Sequence, residues 1–390
     1  MFFLILGFGI HFLRHGMIFP LIPLYVQSLG AGESMVGVVV ACFHILAMVL
    51  AIPLGSLMER FGLQTMLAAG AVCNVLYAVL LLVATSLWIV MLAQVIGGLG
   101  FLLLVVATQT HIGSLRENRF RERRFGIITL VSAVGQTLGP ALGGVVFSWA
   151  GYSGAFWAAL GLSMVGAVSV ACLGPDIFRG QTRRSSGGGR QIMALLRNTH
   201  LVCTLFFTFS VIVVVSLRGS FLPLLLQQKG ISEGQIGVLL SCFALAMTVI
   251  RVGVGRILGR TSRLNVLIGT LSCIIVGAGT LPLLDSSVSL SFFLALFGLG
   301  FGLSQPLSMV MISDVSGSGL AMGVRFFTIT SANFLSSLTM GWIAEYFSLS
   351  AVFYLGAGFL AVMGLWISWT LASQGANRET EEDDDVQHRA

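Results

Sequence analysis

Charge is scarce in this sequence. Asp, Glu, Lys and Arg make up only 9% of its 390 residues, against about 25% in soluble domains. Acids are scarcer than bases, 15 against 21. A mean hydropathy of +0.96 excludes a soluble core and surface. The six cysteines, at 42, 73, 172, 203, 242 and 273, lack CxxC or metal-ligand spacing, so no metal centre is expected and they read as membrane-core thiols. HExxH, GxSxG and phosphate-loop patterns are also missing, which argues against an enzyme and against a cofactor. No basic region or small-residue cleavage pattern opens the chain, so a removable signal peptide is not expected.

Long apolar runs are what is present. They fall at about 1–27, 35–58, 65–84, 87–110, 126–149, 153–174, 200–227, 235–257, 264–283, 289–313, 320–345 and 350–372, twelve of spanning length. The links between them alternate. Those after odd-numbered runs are short and carry one basic residue, Lys229; those after even-numbered runs hold most of the arginines. The positive-inside rule then puts the arginine-rich links and both termini in the cytoplasm of a cell-membrane protein. A nucleic-acid patch is the competing reading of these arginines, and it is poor because every cluster adjoins a span end. The link 175–198 reads as a tether between two six-helix bundles, 1–174 and 199–372. The acidic segment 373–390 reads as a disordered cytoplasmic tail.

The halves repeat. A shift of 200 residues pairs Pro23 with Pro223, Gly30 with Gly230, Glu33 with Glu233, Gly37 with Gly237, Cys42-Phe43 with Cys242-Phe243, and Arg60 with Arg260. Parallel six-helix repeats are a transporter architecture with its substrate site at the midplane between them. The expected fold is therefore an all-α polytopic membrane protein of 12 helices in two pseudo-symmetric bundles.

Three motifs give the chain a resemblance to the major facilitator superfamily. GSLMERFG over 55–62 is similar to that family's G-x-L-x-D-R-x-G loop, with Glu59 for the usual Asp and with Leu63 and Gln64 where basic residues are usual. The resemblance implies that Gly55, Glu59 and Arg60 form a conformational latch in which Glu59 meets the eleventh span near Arg325. The competing reading is that Glu59 is only a solvated loop charge. GQTLGPALGG over 135–144 matches G-x-x-x-G-P-x-x-G-G. The family associates this motif with exporters and antiporters. Physically, Gly135, Gly139 and Gly143 give a smooth packing face and Pro140 bends the helix. AQVIGGLG over 93–100 resembles R-x-x-x-G-x-G, but Gln94 replaces the arginine used in proton coupling.

The candidate site follows from the polar residues inside the spans. None of the acids falls near a span centre. His11, Arg14 and His15 in the first span, at offsets of three and four, are expected on one helix face. Arg218 in the seventh span aligns with Ile18, one turn above Arg14, so the two arginines are expected at one cavity, about 6 Å apart in depth. The substrate site is expected to comprise Arg14, His15, His44, Gln94 and Arg218, lined further by Gln136, Gln305 and Asn333. Arg14 could instead bond to Gln94 or to carbonyls and hold helices together. His11 reads as a packing residue and Arg251 as a cytoplasmic gate or snorkelling side chain. Lacking a midplane carboxylate, proton coupling would fall to His15 or His44.

The expectation is a monomeric secondary active transporter in the lipid bilayer, moving a small organic solute by alternating access. Its solute is anionic or neutral, its direction export, and protons are the candidate coupling ion. Uptake or exchange of an organic anion or phosphate ester, and a non-transporting sensor with the same fold, are the alternatives.

Overall fold

A computed structural model describes residues 2–51, 53–113, 118–173, 193, 197–315 and 319–389. The regular elements among these residues are all helices, joined by short turns. The first half contains α1 (Phe2–Ile18), α2 (Leu21–Ser28), α3 (Glu33–Leu50), α4 (Leu54–Leu82), α5 (Leu87–Gly113) and α6 (Asn118–Ala171). The second contains α7 (Thr199–Ser220), α8 (Leu222–Gln228), α9 (Glu233–Arg260), α10 (Arg263–Thr280), α11 (Ser287–Val315), α12 (Gly319–Tyr346) and α13 (Leu349–Arg389).

Ten of the described helical segments are long and apolar enough to cross a membrane. One of them, 126–171, is 46 residues long and carries two spans. The break between them is Gly151, whose φ of 63° suits glycine because it has no Cβ. Helix α12, 28 residues long, is a further long helix beside those ten, and the arrangement fits a twelve-helix fold.

The repeat is visible in the backbone. The first span of each half is interrupted near its far end. Pro20 separates α1 from α2, and Phe221 with Pro223 separates α7 from α8, because proline supplies no backbone N–H to continue the ladder. The turns that follow use Gly30 and Gly230 at φ of 83° and 77°. Exposed Trp88, Trp149, Trp157 and Trp342 sit near span ends away from the arginine-rich links. Trp366 and Trp369 sit at the other end of α13. Amphipathic rings at both ends of the spans match the two membrane–water interfaces.

Most of the contact between the halves runs along two helix pairs, α3 with α12 and α6 with α9. The contact is tightest at the end opposite the arginines, and glycine makes it so. A Cβ added at Gly37 would lie 2.3 Å from the Ser337 carbonyl oxygen, and one at Gly237 would lie 2.3 Å from the Pro140 carbonyl oxygen. The backbone N–H of Ser34, at the start of α3, donates to Glu345 Oε2 at 2.8 Å. On the other pair, the Ala141 N–H just past Pro140 donates to Ser241 Oγ at 3.1 Å. Nearer the arginines, Phe326 of α12 still packs against the cluster around Leu50 and Leu54. The α6–α9 pair differs there: a Cβ added at Gly126, Gly255 or Gly259 would meet nothing within 4 Å.

Two sequence expectations concern the ends of the halves. Most of the tether 175–198 lies outside the described residues. The segment 373–390, expected to be disordered, continues α13 as helix to Arg389. Its Ala, Gln, Glu and Arg residues are good helix formers.

Candidate functional site

Helix geometry divides the polar cluster of α1. Successive residues on an α-helix point about 100° apart, so Arg14 and His15 cannot share a direction. His11 and Arg14 turn into the first half, where both are buried, 4% and 1% exposed. His15 turns toward the second half.

Arg14 donates from Nη2 to Asn74 Oδ1 on α4, and its guanidinium lies 5.1 Å from the centre of the Tyr77 ring. Asn74 in turn donates to the Gly70 carbonyl oxygen at 2.7 Å. Arg14 Nη1 has no hydrogen-bond partner. It therefore does not line the space that holds Arg218, and its partner is Asn74 rather than Gln94. Gln94 is fully buried, and neither end of its amide finds a partner.

The space between the halves is a cavity of about 60 Å³ lined by His15, Phe19 and Gln136 from the first half and by Arg218, Phe243 and Met247 from the second. It lies at the level of Pro140, directly below the glycine contacts. His15 packs among aromatic rings, with centroids 4.7 Å from Phe101, 4.9 Å from Phe19 and 5.3 Å from Phe43. His44 joins the edge of this cluster, 5.2 Å from Phe43 and 6.4 Å from Phe19. From the other half, the Arg218 guanidinium lies 4.5 Å from the centre of Phe243. That cation–π contact holds the group in place without neutralising it. Its Nε is buried and unpartnered, and among the described residues no carboxylate pairs with it. Gln136 Nε2 donates to the Ser132 carbonyl oxygen at 3.3 Å, and among the described residues its amide oxygen accepts no hydrogen bond.

The other expected residues lie elsewhere. Gln305 accepts from Arg325 at 2.6 Å, and Ser308 accepts from the same guanidinium at 2.9 Å. These ties join α11 to α12 inside the second half. Asn333 donates to the Ile329 carbonyl oxygen of its own helix at 2.9 Å. Arg251 is half-buried near the arginine-rich end of α9, with an unpartnered Nε. Arg60 is exposed beside Phe61. The side chain of Glu59 lies outside the described residues, and with it the expected latch to Arg325. Gly135, Gly139 and Gly143 pack on α1: an added Cβ would come within 2.8 Å of Leu13 N, 2.8 Å of Gly16 Cα and 2.4 Å of the Met17 carbonyl oxygen. The glycine face thus fastens α6 to α1 while its neighbours Pro140 and Gly144 meet α9.

Sequence reasoning missed the aromatic wall of Phe19, Phe43, Phe101 and Phe243. Its signal was present, because Cys42-Phe43 and Gly98-Leu-Gly-Phe101 repeat at 242–243 and 298–301. It also missed Asn74 and Tyr77, for which the sequence carries no local sign.

The family model described as Major Facilitator Superfamily matches residues 4–336. Multidrug resistance protein 2 of Bacillus subtilis (strain 168) is 22% identical over 373 residues, covering 92% of this chain and 91% of that relative. The quinolone resistance protein NorA of Staphylococcus aureus is 26% identical over 133 residues, so the match spans about a third, 34%, of each protein. Among solved structures, the nucleoside transporter NupG superposes with a TM-score of 0.78 at 14% identity, over 94% of this chain and 98% of that one. With two six-helix halves, a cavity between them and a family match across most of its length, the chain is a member of the Major Facilitator Superfamily.

Proposed function

We propose that this protein is a secondary transporter that exports small organic solutes, anionic or neutral, by alternating access. The arginine-rich end is cytoplasmic by the positive-inside rule. On that orientation we read the state as inward-facing, closed where α3 meets α12 at Gly37 and where α6 meets α9 at Pro140 and Gly144. Export is supported by the resistance proteins among its relatives.

One observation carries the substrate class: an Arg218 guanidinium in the cavity between the halves, stacked on Phe243 and without a described counter-ion. A guanidinium fork offers paired N–H donors that match a carboxylate or phosphate. The surrounding phenylalanine rings suit an aromatic or aliphatic body. Gln136 offers both a donor and an acceptor to a neutral polar group. His15 and His44 are the titratable groups beside this cavity, and we assign any proton coupling to them. We expect a monomer to suffice, because both walls of the cavity come from one chain.

A thermal-shift panel on the purified protein tests the substrate class. It compares aromatic carboxylates, their neutral amides and lipophilic cations. Carboxylates should stabilise the wild type most, and Arg218→Ala should remove that preference while Arg218→Lys keeps part of it. Stabilisation by cations alone, unchanged in Arg218→Ala, would overturn the reading.

A further inference from the structure

The polar residues on the other side of α1 enclose a second space, separate from the cavity that holds Arg218. It is a pocket of about 20 Å³ inside the first half, lined in part by His11, Arg14, Asn74, Ser163, Gly7 and Gly166. Four buried polar atoms in these residues have no hydrogen-bond partner: His11 Nδ1, His11 Nε2, Arg14 Nη1 and Ser163 Oγ. The residues that own them are each at least nine-tenths buried, with exposures of 4%, 1% and 5%. All can present a proton to the pocket: a guanidinium N–H, an imidazole N–H and a hydroxyl.

The charge balance is also incomplete. A buried guanidinium needs a partner charge or a full set of acceptors. Arg14 has one acceptor, Asn74 Oδ1, and one ring, Tyr77. No described carboxylate pairs with it.

Space at the pocket is kept by small residues. A Cβ added at Gly166 would meet only Ile10 Cγ2 at 3.9 Å, and one at Gly7 would meet Ser169 Cβ at 3.4 Å. A pocket this size admits one particle of about the size of water. Chloride, the halide nearest water in size of the three tested, carries the missing charge and accepts from several donors at once.

We propose that this pocket binds a single small inorganic anion of the halide class, with Arg14 as its counter-charge and His11 and Ser163 as further donors. The anion neutralises Arg14 and ties α1 to α4 and to the second span of α6. It is a structural co-ion of the first half and does not lie on the solute path.

The test is thermal unfolding of the full chain in detergent. Sodium gluconate is exchanged for chloride, bromide or iodide at constant ionic strength. Chloride and bromide should raise the Tm with a saturable dependence on concentration, as linkage requires of a ligand that binds the folded state. Ser163→Ala should weaken the apparent halide affinity about tenfold, the effect of one hydrogen bond to a charged group. Gly166→Val should abolish the dependence by filling the pocket while leaving every polar side chain in place. Arg14→Gln should abolish it too, and the two milder variants decide the matter if that protein fails to fold. Equal Tm values in gluconate and in all three halides would leave the pocket to a water molecule and overturn the proposal. So would a halide shift that Gly166→Val and Ser163→Ala both retain at wild-type strength.

Discussion

At the scale of the residue, two arginines within the spans have opposite surroundings. Arg14 is held within one half by Asn74 and Tyr77, whereas Arg218 reaches a cavity shared by both halves. Removing the partner of a buried charge costs more than removing both, because the charge is left unsatisfied. Asn74→Ala should therefore lower stability by about 2 kcal/mol, the size of a hydrogen bond to a charged group, as read by thermal unfolding. Gln94 makes the opposite case. Its amide is enclosed and unpartnered, so Gln94→Leu should leave the Tm unchanged or raise it. A marked fall would mean that the amide has a partner, such as a bound water. The sequence made the burial of both arginines legible, since a charge within an apolar span cannot stay in lipid. It did not make their directions legible. Offsets of three and four group His11, Arg14 and His15 on one broad face, yet that face is wide enough for Arg14 and His15 to diverge by about 100°. Which edge meets which neighbour depends on how α1 packs on α6 and presents Arg14 to α4, a tertiary matter.

At the scale of the element, the helices touch where side chains are absent. Gly37 and Gly237 are partners in the 200-residue repeat, and each places a bare backbone against the opposite half. A methyl group at either position would have to push the halves apart. Gly37→Leu should therefore open the far end, measured as a longer distance between spin labels at positions 28 and 348. An unchanged distance distribution would contradict the sealing role. The glycine run of α6 was legible as a packing face, but its partner was not. A small-residue stripe specifies close approach without specifying to what. The structure gives Gly135, Gly139 and Gly143 to α1 and leaves Pro140 and Gly144 for α9. Pro140 also marks a polar tie between the halves, since the Ala141 N–H that follows it donates to Ser241 of the other half.

At the scale of the molecule, the two-bundle organisation was the most legible feature. Length, hydropathy and a constant repeat shift are whole-chain properties, and they survive errors at single residues. The cavity was less legible because it is assembled from both halves. His15 and Gln136 meet Arg218 and Phe243 only after the bundles dock, and no sequence spacing encodes that docking. The predicted orientation follows from charge: a tag on either terminus should be reached by protease only from the arginine-rich side, in sealed vesicles of known sidedness. Anion binding by Arg218 in an alternating-access cavity is the central proposal. Its most direct measurement is radiolabelled flux of an aromatic carboxylate in proteoliposomes, beside that of its neutral amide. The account predicts saturable carboxylate flux that Arg218→Ala lowers at least tenfold, with amide flux changed much less. Carboxylate flux at the wild-type level in Arg218→Ala, in protein that remains folded, would contradict it.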